Sequence, residues 1–183
     1  MPTLLLSPGS TAVAAALGDQ CRSEGWTVTS GLDTAAGTVL DAVAYDPGLF
    51  DGTPRLDAVT DLLAQAARWR LRPRADGGAA VVVIGGREQL GSSEYPGAAA
   101  VAGGLASAVR SLALRLAPDN TTVNLIAAAA PADQSVPGLL PDPVTAQDVA
   151  STARFLLDPR SRYITGQVLF CCAGASLLSS LSV

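Results

Sequence analysis

AVVVIGG, Ala80 to Gly86, runs for seven residues without one polar side chain. Valine and isoleucine, stiff at the first side-chain torsion, favour extended backbone. A strand apolar at every position, not at alternate ones, has to be covered on both faces. That is the condition of a central strand in a parallel sheet. Working outward, TLLL (Thr3–Leu6), WTVTS (Trp26–Ser30), DAVAY (Asp41–Tyr45), TVNLIAA (Thr122–Ala128) and GQVLFCC (Gly166–Cys172) read as further strands. Between them lie helical patterns at Thr11–Ser23, Leu56–Arg72, Glu94–Pro118 and about Thr145–Leu157. In the second of these Leu56, Val59, Leu62, Leu63, Ala66 and Ala67 recur at helical spacing. Strand and helix alternate throughout, which predicts an α/β fold: a Rossmann-like three-layer αβα sandwich on a mostly parallel sheet. Ligands in such sheets lie at the carboxyl ends of the strands. No repeat or linker interrupts the pattern, so residues 1–183 read as one domain.

Composition narrows the chemistry. The chain has no histidine, and all 12 basic residues are arginine, so it has no lysine. Histidine-dependent triads, histidine-held metals, Schiff bases and any tyrosine–lysine couple are excluded, because arginine stays protonated and cannot replace lysine in proton transfer. The net charge of −4 gives no electrostatic reason to bind nucleic acid. No apolar run approaches the roughly 18 residues that span a bilayer, and the first residues do not read as a signal peptide. No membrane partner and a cytoplasmic location are therefore expected. Cys21, Cys171 and Cys172 form neither a metal pattern nor a disulfide framework and read as core or interface filler, with no metal expected.

Three segments carry a resemblance. RSLALRLAP (Arg110–Pro118) followed by TTVNLIA, LDAVAYDPG (Leu40–Gly48), and AQDVASTARFLLDPRSRYITGQVLFCCAG (Ala146–Gly174) are similar to the short-chain dehydrogenase/reductases. The likeness is to the classical type, resembling 3-oxoacyl-carrier-protein ketoreductases. The resemblance implies where that family's working residues fall. Its serine falls on Gly86, its tyrosine on Ala98 and its lysine on Ala102. The three glycines of its cofactor loop fall on Pro8, Ala12 and Ala14, and its N-N-A-G turn on Tyr45, Asp46, Pro47 and Gly48. Alanine neither donates a proton nor lowers a neighbour's pKa, and Pro8 lacks an N–H for a phosphate cradle. Only residues 31–39 separate WTVTS from LDAVAY, where the family fits a helix, a strand and a second helix. The sheet is thus expected to be shortened beside its second strand. The resemblance accordingly implies a truncated, degenerate member that binds no cofactor.

Two uses remain. The family packs the helix of Glu94–Pro118 and the one before it against a partner subunit, and its last strand makes a second contact. The residues expected at these interfaces are Leu63, Ala67, Val101, Leu105, Val109, Leu112 and Leu116, then Leu169, Phe170, Leu177 and Leu178. The partner would be an intact ketoreductase subunit or a second copy of this chain, in a bacterial polyketide or fatty-acid-type pathway. Alternatively the emptied cleft holds a small polyketide-like molecule and catalyses dehydration, cyclisation or isomerisation with Tyr95, Asp46 and Glu94. The arginine run Arg68–Arg74 would suit an acyl carrier protein, or is simply a solvated helix end.

Overall fold

The computed structural model describes residues 1–7, 9–32, 37–49, 55–129 and 138–179. Six strands form one parallel sheet: β1 (Thr3–Ser7), β2 (Thr27–Ser30), β3 (Ala42–Tyr45), β4 (Ala80–Gly86), β5 (Thr122–Ala128) and β6 (Val168–Cys171), in the order β2-β1-β3-β4-β5-β6. Order reverses between β1 and β3, so the carboxyl ends of those two strands flank a topological switch point. β4 and β5 are buried almost throughout, β4 with an unbroken apolar sequence and β5 with Thr122 and Asn124 buried among apolar neighbours. Among the described residues no strand lies outside β2, in keeping with the short connection to β3.

Helices cover both faces. α1 (Ala12–Ser23) and α4 (Ala146–Leu157) lie on one, where Val13, Leu17, Val149 and Leu156 pack with Leu4, Leu6, Val82, Ile84 and Ile126. α2 (Ala58–Ala66) and α3 (Pro96–Leu116) lie on the other, over Leu5, Val43, Val81, Val83 and Leu125. A short α5 (Ala175–Ser179) follows the last strand. α4 begins where its sequence says it should. Thr145 and Asp148 form a reciprocal capping box that satisfies two backbone donors at the helix start.

Two expectations change. The second helix was expected to run from Leu56 to Arg72, but α2 stops at Ala66. Trp69 turns into the core, and Leu71 leaves helical geometry to bridge Leu40 in parallel, while Arg72 pairs with Asp41. Tertiary contacts outbid local periodicity there. The expectation about bilayer-length segments also needs correction. α3 with its following turn, Pro96–Asp119, spans 24 residues and contains an 18-residue window of mean hydropathy 1.4, long and apolar enough by composition alone. One side of α3 nevertheless lies flat on the sheet as a core helix.

Candidate functional site

The carboxyl ends of β1 and β3 face the start of α1, where helix geometry leaves backbone N–H groups unpaired. In a nucleotide-binding sheet those groups hold phosphate. Here the chain supplies its own acceptors. Thr11 caps α1, its hydroxyl accepting from the Ala14 amide at 3.1 Å. That hydroxyl donates to the Asp46 carboxylate at 2.5 Å, and the Gly48 amide donates to the other Asp46 oxygen at 2.9 Å. Asp46 is only 2% exposed. A buried carboxylate thus sits behind the helix start and contributes negative charge where a phosphate would need positive potential.

A second network lies at the same end of the sheet, on the α2 side. The Ser7 hydroxyl at the end of β1 donates to Gln65, whose amide donates to Asp61 at 2.9 Å. Tyr45 donates to the same Asp61 oxygen and to the Ala58 carbonyl, each at 2.9 Å. Burial, then the hydrogen bond to Asp61, pushes the Tyr45 phenol far above its ordinary pKa, so it stays protonated and serves as a donor. Ser30, ending β2, packs on the loop after β1, where a Cβ on Gly9 would lie 2.5 Å from its hydroxyl oxygen. Of these residues only Asp46 was singled out in the sequence. Ser7, Thr11, Asp61 and Gln65 gave no signal, since their partners lie 35 or more positions away in two of the key bonds.

Beyond β4, a short 3₁₀ turn (Arg87–Leu90) leads toward α3. The Glu88 carboxylate folds back over Gly86 and fills the space that a side chain there would need. Tyr95 precedes α3 as its cap residue, 55% exposed, and its hydroxyl donates to Glu94 at 2.9 Å. Its amide donates to Ser92. Tyr95 and Glu94 are therefore brought together at an open helix start, while Asp46 is committed to structural bonds in the buried crevice.

No protein-family profile matches the chain. It is 34% identical over 113 residues to the (2S)-[(R)-hydroxy(phenyl)methyl]succinyl-CoA dehydrogenase subunit BbsC of Thauera aromatica, a match covering 56% of this chain and 45% of that protein. The chain thus spans less than half the length of this curated relative. Among solved structures it is similar to the enoyl-[acyl-carrier-protein] reductase (NADH) of Aquifex aeolicus, with a TM-score of 0.76, 17% identity, and 95% and 96% of the two chains covered. A short chain dehydrogenase family protein of Francisella tularensis superposes at 0.75 with 15% identity, covering 97% and 99%. The 3-alpha-hydroxysteroid dehydrogenase of a Pseudomonas species, solved with NADH, does so at 0.75 with 19% identity and 99% of each chain. The chain has the short-chain dehydrogenase/reductase fold.

The resemblance assigned the family's serine, tyrosine and lysine to Gly86, Ala98 and Ala102. Gly86 is overlaid by Glu88, Ala98 is half-buried, and Ala102 is buried against the core. No proton donor stands at any of them. Of the cofactor-loop positions, Ala12 is exposed and Ala14 is packed in the α1 core; Pro8 lies outside the described residues.

The interface expectation divides. Val101, Leu105, Val109 and Leu112 are buried in the chain's own core, because they form the stripe of α3 that faces the sheet. They are not available to a partner, and that expectation is corrected. Leu63, Ala67, Leu169, Phe170 and Leu177 are exposed, and Leu116 and Leu178 are half-buried. β6 is an edge strand, paired with β5 alone among the described strands. The arginine run is partly structural, since Arg72 pairs with Asp41 and Arg70 donates to the Gly37 carbonyl. A groove of about 410 Å³ opens at the opposite, amino end of the sheet, lined by Trp26, Asp41, Arg72, Asn120 and Arg162. All three cysteines are free; burial raises Cys21 to about 11.

Proposed function

We propose that this chain is a catalytically inactive subunit of a two-component dehydrogenase, a single short-chain dehydrogenase/reductase-like domain that assembles with an intact reductase and stabilises or regulates it. The observation that carries this reading is that the chain's own side chains, Thr11 with Asp46 and Ser7 with Gln65, pair at the β1–β3 switch point, while the helical layers around it persist. Side chains that satisfy one another leave fewer polar groups for a ligand. The similarity to a protein named as a dehydrogenase subunit supports the same assignment. That relative's name also includes a coenzyme A thioester, in line with acyl-thioester chemistry of polyketide or fatty-acid type in a bacterial cytoplasm. The domain itself binds no NADPH.

The repurposed-enzyme reading gains no support from Asp46, which is buried and accepts hydrogen bonds from Thr11 and the Gly48 amide. Co-expression with the intact reductase of the same pathway tests the proposal. The two chains should co-purify in fixed stoichiometry, and the reductase alone should be less stable or less active. A reductase fully stable and active without this chain sinks the proposal.

A further inference from the structure

The groove at the amino end of the sheet lies where β1, β3, β4 and β5 begin, with Pro2, Asp41, Ala80 and Thr122 in its wall. Its volume of about 410 Å³ falls within the roughly 300–1,000 Å³ of small-molecule sites. Trp26, Leu157 and Pro159 give it an apolar side. Backbone geometry fixes its floor. Gly77 and Gly78 turn at φ +106° and +80°, and the Asn120 side-chain amide donates to the Gly77 carbonyl at 2.7 Å. A Cβ on Gly78 would overlap the Asn120 carbonyl, and Asn120 is itself left-handed at φ 56°. The Thr122 amide then donates to the Ala79 carbonyl at 3.0 Å. A groove held in this way needs little ordering when a ligand enters.

The charges of the groove indicate what it takes. Three acids, Asp41, Asp76 and Asp158, and two arginines, Arg72 and Arg162, line it. Asp41 pairs with Arg72, and its other oxygen accepts from the Thr3 amide at 2.7 Å. Asp158 accepts two bonds of 2.9 Å from the Arg160 guanidinium. Asp76 and Arg162 remain. Both are exposed, and among the described residues neither makes an ion pair. Arg162 rests instead over the Tyr163 ring, 5.2 Å from its centroid. An anion entering the groove gains Arg162 but meets three carboxylates, and a cation gains Asp76 but meets two arginines. One small molecule carrying both signs suits both groups and takes no net charge out of water. Apolar atoms between its charged ends fit against Trp26, Leu157 and Pro159.

We infer that the amino-end groove binds a small zwitterion with an apolar body, of the amino-acid or short-peptide class, its ammonium toward Asp76 and its carboxylate toward Arg162. The site uses no residue of the switch point and stands apart from the subunit reading. Leucyl-leucine titrated into the purified full chain and followed by amide NMR tests it. Saturable shifts are expected at Gly78, Asn120 and Arg162. N-acetyl-leucyl-leucine lacks the cation and leucyl-leucine amide lacks the anion, and each should bind about fivefold or more weakly. Arg162→Gln should weaken leucyl-leucine by a like factor but leave its amide unaffected. Asp76→Asn should likewise weaken leucyl-leucine but leave the acetylated peptide unaffected. Both side chains are exposed, so neither change should move the melting temperature. Absence of saturable binding, or capped peptides that bind as well as the parent, overturns the inference. Shifts confined to Ser7, Thr11 and Gly48, or losses in the variants indifferent to which end is capped, also overturn it.

Discussion

Replacing Asp46 by alanine tests whether the crevice is core or site. The carboxylate accepts from Thr11 at 2.5 Å and from the Gly48 amide at 2.9 Å, and is 2% exposed. Hydrogen bonds to a charged acceptor are worth about 1.5–3 kcal/mol each. Their loss leaves a buried hydroxyl at Thr11, whereas the half-buried Gly48 amide can turn to water. Relief of carboxylate desolvation offsets part of the loss. The net cost of Asp46→Ala is then about 2–4 kcal/mol. For a domain of this length each kcal/mol lowers the melting temperature by about 2–4 °C, so the fall should be roughly 4–16 °C. Asp46→Asn, which keeps the shape, should cost about half as much. Thermal and urea unfolding of the purified variants measure both. A functional carboxylate poised for chemistry would be held at some expense to the fold, and its removal would be neutral or stabilising. That result would refute the structural role assigned to Asp46.

Other outcomes are expected. Gly78 sits at φ +80°, and an added Cβ would overlap the Asn120 carbonyl, so Gly78→Ala should cost more than about 3 kcal/mol; Gly25→Ala, at φ +84° in open space, should cost about 1 kcal/mol by the same unfolding assay. Asp158 is held at about 2 by the Arg160 side chain and amide, below its ordinary 3.8. A depressed carboxylate stabilises above its unfolded pKa and loses that contribution as pH falls through the folded value. Because Arg160 is largely exposed, Asp158→Asn should cost on the order of 1 kcal/mol at pH 7, and the difference should vanish as pH drops from 4 toward 2. Installing Ala98→Tyr with Ala102→Lys should not produce NADPH-dependent ketone reduction, because the lysine would enter a buried position. A measurable ketone-dependent loss of NADPH absorbance would count against the inactive assignment.

The strand at Ala80–Gly86 was legible because burial on both faces leaves an unmistakable apolar run. The start of α4 was legible through its cap at Thr145. What the residues concealed were matters decided by distant partners. α2 ends early because Trp69 and Leu71 find places against the core and Leu40. The large side chains of α3 that the family resemblance places at a partner, Val101, Leu105, Val109 and Leu112, are taken by the sheet instead. The missing donors at Ala98 and Ala102 are plain in the sequence. The side chains that pair at the switch point are not, since Ser7 and Gln65 meet across 58 positions and Thr11 and Asp46 across 35.

The most direct test of the central claim is to count cofactors in the assembled complex. Calorimetric titration of NADPH into the purified complex of this chain with the proposed reductase subunit should give one site per pair, with this chain alone giving none. Two sites per pair, or saturable binding by this chain alone, would contradict the assignment of an inactive subunit.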